Sequence, residues 1–374
     1  MHVAVVLPDL RVGGVERMRV EMARELAKRG VRVNLCVLRK GGELSGEVPP
    51  SVRIRMLDVQ RGREAPLPLA RFLREEKPDV VVADMWPLTT IVVTVARATR
   101  ASSRVVLVDH NTLSKTPLYA KPMTRVAMRT SIRATYPLAD ARIVVSNGVG
   151  DDLARISGLP RAAFTTLYNA VQVETQATSG ADPWGDAPRP RVLAVGRMKE
   201  QKDHATFLRA AARSGAASVA IVGDGELRHP LEALANELGL GAKLRLPGFV
   251  TDVQGWYANA DVFVLSSRYE GFGNVLVEAM ARGIPVVSTD CPSGPAEILS
   301  NGRFGELVPV GDEVAMANAI DRVVGRSVDR DLLMGRAAEF GVARVTDRYL
   351  ALFERLSGRG HARSPSRDVE MSPR

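Results

Sequence analysis

Two glutamates eight positions apart, Glu270 and Glu278, enclose the run Gly271-Phe272-Gly273-Asn274-Val275. The run follows an apolar strand, Val262 to Leu265, and opens an apolar helix that Gly283 closes. A second apolar strand begins at Ile284-Pro285-Val286-Val287. In this arrangement the amides of Gly273, Asn274 and Val275 begin the helix, where free N–H groups and the helix dipole favour an anion. One carboxylate precedes that anion position and one follows it. The pairing suits a ligand with hydroxyls on both sides of a phosphate group, as in a nucleotide sugar. Taken alone, glutamates at this spacing favour solvated or capping roles; here the glycines, the apolar helix and the following strand come with them.

A second charged constellation lies upstream. The apolar strand Arg191 to Val195 runs into Gly196-Arg197-Met198-Lys199-Glu200-Gln201-Lys202-Asp203. Arg197 and Lys202 flank a turn, and Asp203 is placed to cap the next helix. Two cations at the carboxyl edge of the first strand of an α/β unit suit a diphosphate. Near the start of the chain, a strand (Met1 to Asp9) leads through Gly13-Gly14 into an amphipathic helix ending at Lys28-Arg29-Gly30. A strand at Val31 to Leu38 follows, the opening of a doubly wound sheet. This loop contains no G-x-G-x-x-G, which argues against a dinucleotide site. His110 sits just beyond the strand Val105 to Val108, and Asp84 ends the strand Val80 to Ala83. Both occupy the sheet edge where ligands bind.

The stretch Ser266 to Ser288 closely resembles the donor-site signature of retaining GT-B glycosyltransferases of family 4. Gly196-Arg197-x4-Lys202-Asp203 resembles the same family's diphosphate-neutralising motif, and Gly13-Gly14-Val15-Glu16-Arg17 its N-terminal loop facing donor and acceptor. Tyr168-Asn169-Ala170-Val171 is similar to the family's Asn-centred segment at the end of the first domain. The resemblance implies an α/β fold of GT-B architecture, with two Rossmann-like domains facing across a cleft. It implies that Glu278 binds the ribose hydroxyls, and that Glu270 contacts the donor sugar and orients it for front-face attack with retention. Arg197 and Lys202 would stabilise the departing diphosphate, and His110 would contact the donor sugar. Gly13 and Gly14, the backbone near Phe249 and Val250, and the run Gly271 to Val275 would complete the donor site. Because these cations and amides meet the diphosphate charge, no metal or other cofactor is expected. Many relatives carry a basic residue where this chain has Ala296, so no contact is carried over there.

The elements around these motifs set the wider frame. The chain has 374 residues, beyond the roughly 250–300 at which single cores stop growing. Two domains are therefore expected, 1–174 and 191–341, and the resemblance implies that the first lies on the acceptor side and the second holds the nucleotide sugar. A Pro/Gly/Ser-rich linker (175–190) joins them, the resemblance to GT-B proteins implies that a helix at 342–357 crosses back to the first domain, and a tail (358–374) is read as disordered. Hydrophobic content of 45% and charged content of 25% are those of a globular chain. The N-terminus lacks a basic leader, and no apolar run reaches the roughly 18 residues of a membrane span. Cys36 and Cys291 show no metal-ligand or disulfide pattern, which suits a reducing cytoplasm.

The charge is uneven. Residues 1–175 hold 27 Lys+Arg against 17 Asp+Glu, whereas the remainder is nearly balanced at 24 against 25. No acidic residue falls between Asp109 and Asp140, and Lys121, Arg125, Arg129 and Arg133 recur every four residues behind Pro122. Met123, Val126, Ala127 and Thr130 adjoin this basic stripe. A helix of this kind either lies against an anionic membrane or is a solvated face.

The reading is of a hexose or N-acetylhexosamine moved from a UDP-sugar to a saccharide or lipid-linked acceptor, at the inner membrane face. A GT-B epimerase or phosphorolytic enzyme is the alternative; an epimerase would release UDP and sugar without an acceptor. Nucleic-acid binding is disfavoured by an aromatic content of 5% and the lack of a known module.

Overall fold

The computed structural model describes residues 1–173, 182–250 and 252–358. The expected linker therefore lies partly, and the tail almost wholly, outside the described residues. The first sheet comprises β1 (His2–Leu7), β2 (Arg32–Val37), β3 (Val52–Met56), β4 (Val80–Asp84), β5 (Arg104–Asp109), β6 (Ala141–Val144) and β7 (Thr165–Thr166). Its order is β3-β2-β1-β4-β5-β6-β7, all parallel. The second comprises β8 (Arg191–Val195), β9 (Ser218–Val222), β10 (Leu244–Gly248), β11 (Val262–Leu265), β12 (Val286–Thr289) and β13 (Glu306–Val308). Its order is β10-β9-β8-β11-β12-β13, again parallel.

Parallel sheets covered by helices on both faces need strands that are apolar throughout. β1, β4 and β11 satisfy this, with every residue buried. β3 was not expected from the sequence. Val52 and Ile54 alternate there with Arg53 and Arg55, and the strand buries only Val52, as an edge strand can.

In each sheet the winding reverses once, between β1 and β4 and between β8 and β11. Reversal sends neighbouring connections to opposite faces and opens a crevice at the carboxyl ends of those strands. Gly13 and Gly14 lead from β1 into the next helix and Asp84 ends β4; the loops after β8 and β11 carry Arg197, Lys202 and Glu270.

The helix Val342–Ser357 lies on the first domain. Arg29 Nε bonds to Asp347 Oδ1 at 2.7 Å, and the Arg19 guanidinium sits 5.3 Å from the Tyr349 ring centroid. Trp184, just before the second sheet, is fully buried with its ring 5.3 Å from that of Trp256. One local expectation is corrected. Asp203 occupies the cap position of the helix His204–Arg213 but makes no side-chain cap bond. Its φ is +46°, and its Oδ2 instead accepts from Arg268 Nε at 3.1 Å.

Candidate active site

The two loops that leave β8 and β11 are bonded to each other. Arg268 donates its amide to the Gln201 carbonyl at 2.8 Å, Gln201 Nε2 donates to the Tyr269 carbonyl at 2.9 Å, and Ser266 Oγ to the Lys202 carbonyl at 2.8 Å. These bonds fix where the two charged side chains meet. Lys202 Nζ lies 2.6 Å from Glu270 Oε1, which also accepts from Ser267 Oγ at 2.6 Å. Both partners are largely buried. A cation and a carboxylate that were 68 positions apart in sequence thus form one unit at the crevice of the second sheet.

The first domain closes directly over this loop. A Cβ added at Gly271 would stand 1.8 Å from the His110 carbonyl oxygen, so only glycine allows the contact. Ser146 Oγ donates to the Gly271 carbonyl at 2.7 Å and Thr112 Oγ1 to the Glu270 carbonyl at 3.0 Å. Asn169 Nδ2 reaches Asn274 Oδ1 at 2.9 Å. The Asn147 amide donates to Glu297, at 2.8 and 2.9 Å from its two oxygens.

His110 is buried at the base of this interface. Its Nε2 lies 2.7 Å from Asp84 Oδ1 and its Nδ1 3.1 Å from Asn169 Oδ1. Asp84 is also gripped by Arg19 through bonds of 2.6 to 3.1 Å. Burial pushes the Asp84 carboxyl up, but Arg19 and His110 outweigh it and leave it below its ordinary value. With both nitrogens engaged, His110 is built into a buried relay from Arg19 to Asn274. Any sugar contact would need one of those bonds to open.

Between the domains lies a cavity of about 660 Å³, lined from the first domain by Glu16 and Arg17 and from the second by Arg197 and Phe249. Arg197 is exposed, with Nε 3.6 Å from Glu226 Oε2, so its guanidinium remains available to the cleft. Phe249 is 62% exposed, whereas Val250 packs against the core. A Cβ on Gly13 would meet Glu16 Oε2 at 2.2 Å, so Gly13 leaves room for that carboxylate; Gly14 begins the following helix.

The helix Asn274–Ala281 starts after Gly273, whose φ of +106° is a left-handed conformation. The amides of its first turn have no carbonyl within the helix. Glu278, on this helix, is half-buried and its Oε2 accepts from Tyr257 OH at 2.9 Å. Burial holds its carboxyl above the ordinary range, against the Tyr257 bond and the charge of Lys202.

Phe272 is placed differently from the rest of its run. Its ring is buried against Tyr168 and Phe340, with centroids 5.4 Å apart in each case, so only its backbone borders the site. Asn274 likewise spends its side chain on Asn169, and Val275 is partly buried against the core. Sequence reading missed Ser267 and Tyr257, which hold the two glutamates. Ser267 precedes Glu270 by three positions, but Tyr257 belongs to another helix and gives no local signal. Glu16 and Arg17 stood within the quoted glycine loop, the one indication that they border the cavity.

The basic segment forms a helix, Pro122–Thr135, that buries only Met128 and Ile132. Met123 and Val126 are exposed beside Lys121, Arg125 and Arg129. Arg133 differs, since its Nε donates to the Ile156 carbonyl at 3.1 Å.

Residues 12–175 match the family described as Glycosyltransferase Family 4, and residues 189–326 the one described as Glycosyl transferases group 1. Both crevice-bearing halves are thereby covered. The chain is a family 4 glycosyltransferase. This transferase is 29% identical to the lipopolysaccharide core biosynthesis glycosyltransferase LpsE of Rhizobium meliloti, over 91% of its own length and 95% of the relative's. Over half of each chain it is 34% identical to a Campylobacter jejuni N-acetylgalactosaminyltransferase named for a diphospho-undecaprenol acceptor. Its fold matches the crystal structure of Anabaena HepE in complex with UDP and glucose, with a TM-score of 0.77, 19% identity, and coverage of 95% of this chain and all of that one. The transferase therefore has the GT-B architecture. No helix among its described residues is long and apolar enough to cross a membrane.

Proposed function

We propose that the transferase moves a hexose or N-acetylhexosamine from a UDP-sugar, with retention, to a saccharide or lipid-linked saccharide during cell-surface glycan assembly. The observation that carries this reading is the Lys202–Glu270 pair at the crevice of the second sheet, with Glu278 one helix turn beyond the amides of Asn274 and Val275. A diphosphate against those amides is met by Lys202 and by the exposed guanidinium of Arg197, whose one ion pair among the described residues is the long contact to Glu226. The two cations stabilise charge where it grows as the anomeric carbon parts from the diphosphate oxygen. Glu278 accepts bonds from both ribose hydroxyls, a task for a carboxylate with two oxygens.

Glu270, fixed by Lys202 and Ser267, orients the donor sugar. The acceptor oxygen bonds to the anomeric carbon on the face the diphosphate leaves, and its proton passes to the departing phosphate oxygen. HepE, with UDP and glucose bound to the same fold, supports UDP as the nucleotide. LpsE and the Campylobacter enzyme support a glycan or lipid-linked acceptor.

The exposed Pro122–Thr135 helix gives the enzyme a cationic, partly apolar face suited to an anionic membrane surface, where such acceptors are held. Incubation with UDP-sugars and a lipid-linked oligosaccharide tests the reading. Transfer with retained anomeric configuration is expected, lost in Glu278→Ala and Lys202→Ala. Release of free sugar without an acceptor would contradict it.

A further inference from the structure

A second cavity, of about 300 Å³, opens beside the main cleft and shares Asp9 and Arg11 with it. It lies where the loops after β1 and β2 meet, and Arg39, Lys40 and Gln60 complete its polar lining. We infer that this cavity is an anion subsite for the acceptor: it holds a carboxylate or phosphate substituent on the saccharide that receives the sugar. The inference rests on the glycosyltransferase reading above and names the class of acceptor.

The cavity is built around one buried carboxylate. Asp9 is 5% exposed, and its Oδ2 accepts from Arg11 Nε at 3.0 Å and from Arg39 Nε and Nη2 at 3.1 and 2.6 Å. Burial alone pushes the Asp9 carboxyl up, but the bonds from Arg11 and Arg39 outweigh it and keep it ionised. Its position therefore orders two guanidiniums that would otherwise be mobile. In each, the edge turned to Asp9 is used, and Nη1 bonds to none of the described residues.

Arg11 remains 70% exposed at the side chain and Arg39 40%, so the unused edges are accessible. Lys40 adds an exposed ammonium with no ion pair among the described residues. Three cations against one internal carboxylate leave the cavity cationic. Paired guanidinium forks suit the planar or tetrahedral oxygens of carboxylate and phosphate.

The walls are preformed. Gly42 has φ +118°, and a Cβ there would stand 2.1 Å from the Leu10 carbonyl carbon, so the loop after β2 lies directly on the loop after β1. The Leu44 amide donates to the Leu10 carbonyl at 3.0 Å and the Arg39 amide to the Pro8 carbonyl at 3.0 Å. Glu43, a further carboxylate on this loop, accepts from the Val12 amide at 3.2 Å and, with Glu16, acts on Arg11 from the side of the larger cavity. Arg11 borders both cavities, while Arg197 and Phe249 stand on the opposite wall of the larger one. An acceptor lying along the first domain can therefore present a hydroxyl to the donor while an anionic group elsewhere on it reaches Arg39 and Lys40.

The test is an NMR titration of the full chain in two steps. UDP is titrated first, which judges the nucleotide-sugar reading and fills the diphosphate site. Inorganic phosphate, glucose 6-phosphate, glucuronate and neutral methyl glucoside are then titrated separately. Saturable binding of the charged probes is expected, well above that of methyl glucoside. Their affinity should fall by roughly tenfold to a hundredfold in Arg11→Gln and Lys40→Gln, the range for a charge-assisted hydrogen bond.

UDP affinity in Lys40→Gln should stay at the wild-type value. Lys40 is exposed with no ion pair among the described residues, so this variant decides the matter even if loss of an arginine beside Asp9 harms folding. A preference for glucuronate or for the phosphates tells which substituent the subsite takes. Equal binding of charged and neutral probes, or unchanged phosphate affinity in both variants, overturns the inference. Failure to bind UDP would contradict only the nucleotide-sugar reading, because the comparison between wild type and variants stands without it.

Discussion

Lys202 Nζ and Glu270 Oε1 stand 2.6 Å apart, joining the turn after β8 to the loop after β11 at the crevice of the second domain. Each residue belongs to a separate motif, and the contact makes those motifs one site. Replacing Lys202 with Met removes a cation proposed to meet the departing diphosphate and leaves the Glu270 carboxylate, among the described residues, with the Ser267 hydroxyl. Transfer should fall by about 10²–10³-fold, the range for removing one preorganised electrostatic partner. Steady-state rates at saturating donor check this, and a loss below threefold would exclude the role.

Glu278 is expected to govern donor affinity rather than turnover. Glu278→Gln keeps its shape but weakens acceptance of the ribose hydroxyls, so the KM for donor should rise roughly tenfold while kcat changes little. The pH dependence has a defined sign. Burial holds the Glu278 carboxyl above its ordinary value, so protonation begins at a higher pH than for a free glutamate. Donor affinity should fall on acidification, starting above the usual carboxylate range. In Glu278→Gln that acid limb should disappear.

Gly271 controls the approach of the two domains. Any side chain there would meet the His110 carbonyl at 1.8 Å, and the neighbouring bonds from Ser146 and Thr112 would lengthen with it. Gly271→Ala should keep both sheets intact yet open the interface, lowering kcat by tenfold or more. Small-angle scattering would show an increased radius of gyration alongside unchanged circular dichroism.

Asp109, next to His110 in the chain, offers a stability test. Its Oδ2 accepts from Tyr136 OH at 2.8 Å, its Oδ1 is buried without a hydrogen-bond partner among the described residues, and burial pushes its carboxyl up to about 7. The folded chain therefore keeps a proton that the unfolded chain releases between the ordinary carboxylate range and pH 7. Stability should decline through that window, with a limiting slope of about 1.4 kcal/mol per pH unit from this group. Asp109→Asn should flatten the fall in melting temperature between pH 5 and 8, as calorimetry can read.

Lys121, Arg125 and Arg129 project from the exposed helix with no ion pair among the described residues. At about 1 kcal/mol for each basic residue near an anionic surface, changing all three to Gln should weaken sedimentation with phosphatidylglycerol vesicles by roughly a hundredfold. Arg133 should contribute less, because its Nε is tied to the Ile156 carbonyl. Equal sedimentation of wild type and triple variant would remove the membrane proposal.

Much of the architecture was legible because parallel strands are continuous apolar runs and the motifs sit in the loops that follow them. β11, β12 and the helix between them fall within a residue or two of where Val262, Gly283 and Val286 placed them. β3 escaped notice, since an edge strand with alternating arginines carries half the hydrophobic signal. The partners of charged groups were largely hidden. Glu278 is held by Tyr257 from another helix, and Asp203 turned from a cap to Arg268 because its left-handed backbone points the carboxylate elsewhere. Phe272 looked like part of the glycine loop's ligand face, yet its ring fills the space between Tyr168 and Phe340. Such choices depend on what tertiary structure brings near, which spacing along the chain does not encode.

The most direct test of the donor site is saturation-transfer NMR of the purified chain with UDP-, GDP- and ADP-sugars, in wild type, Lys202→Met and Glu278→Gln. A saturable response to a UDP-sugar in wild type, weakened at least tenfold in both variants, is the expected result. A folded wild type silent to every nucleotide sugar, or a response undiminished in both variants, would contradict the placement of the donor at the Lys202–Glu270 crevice.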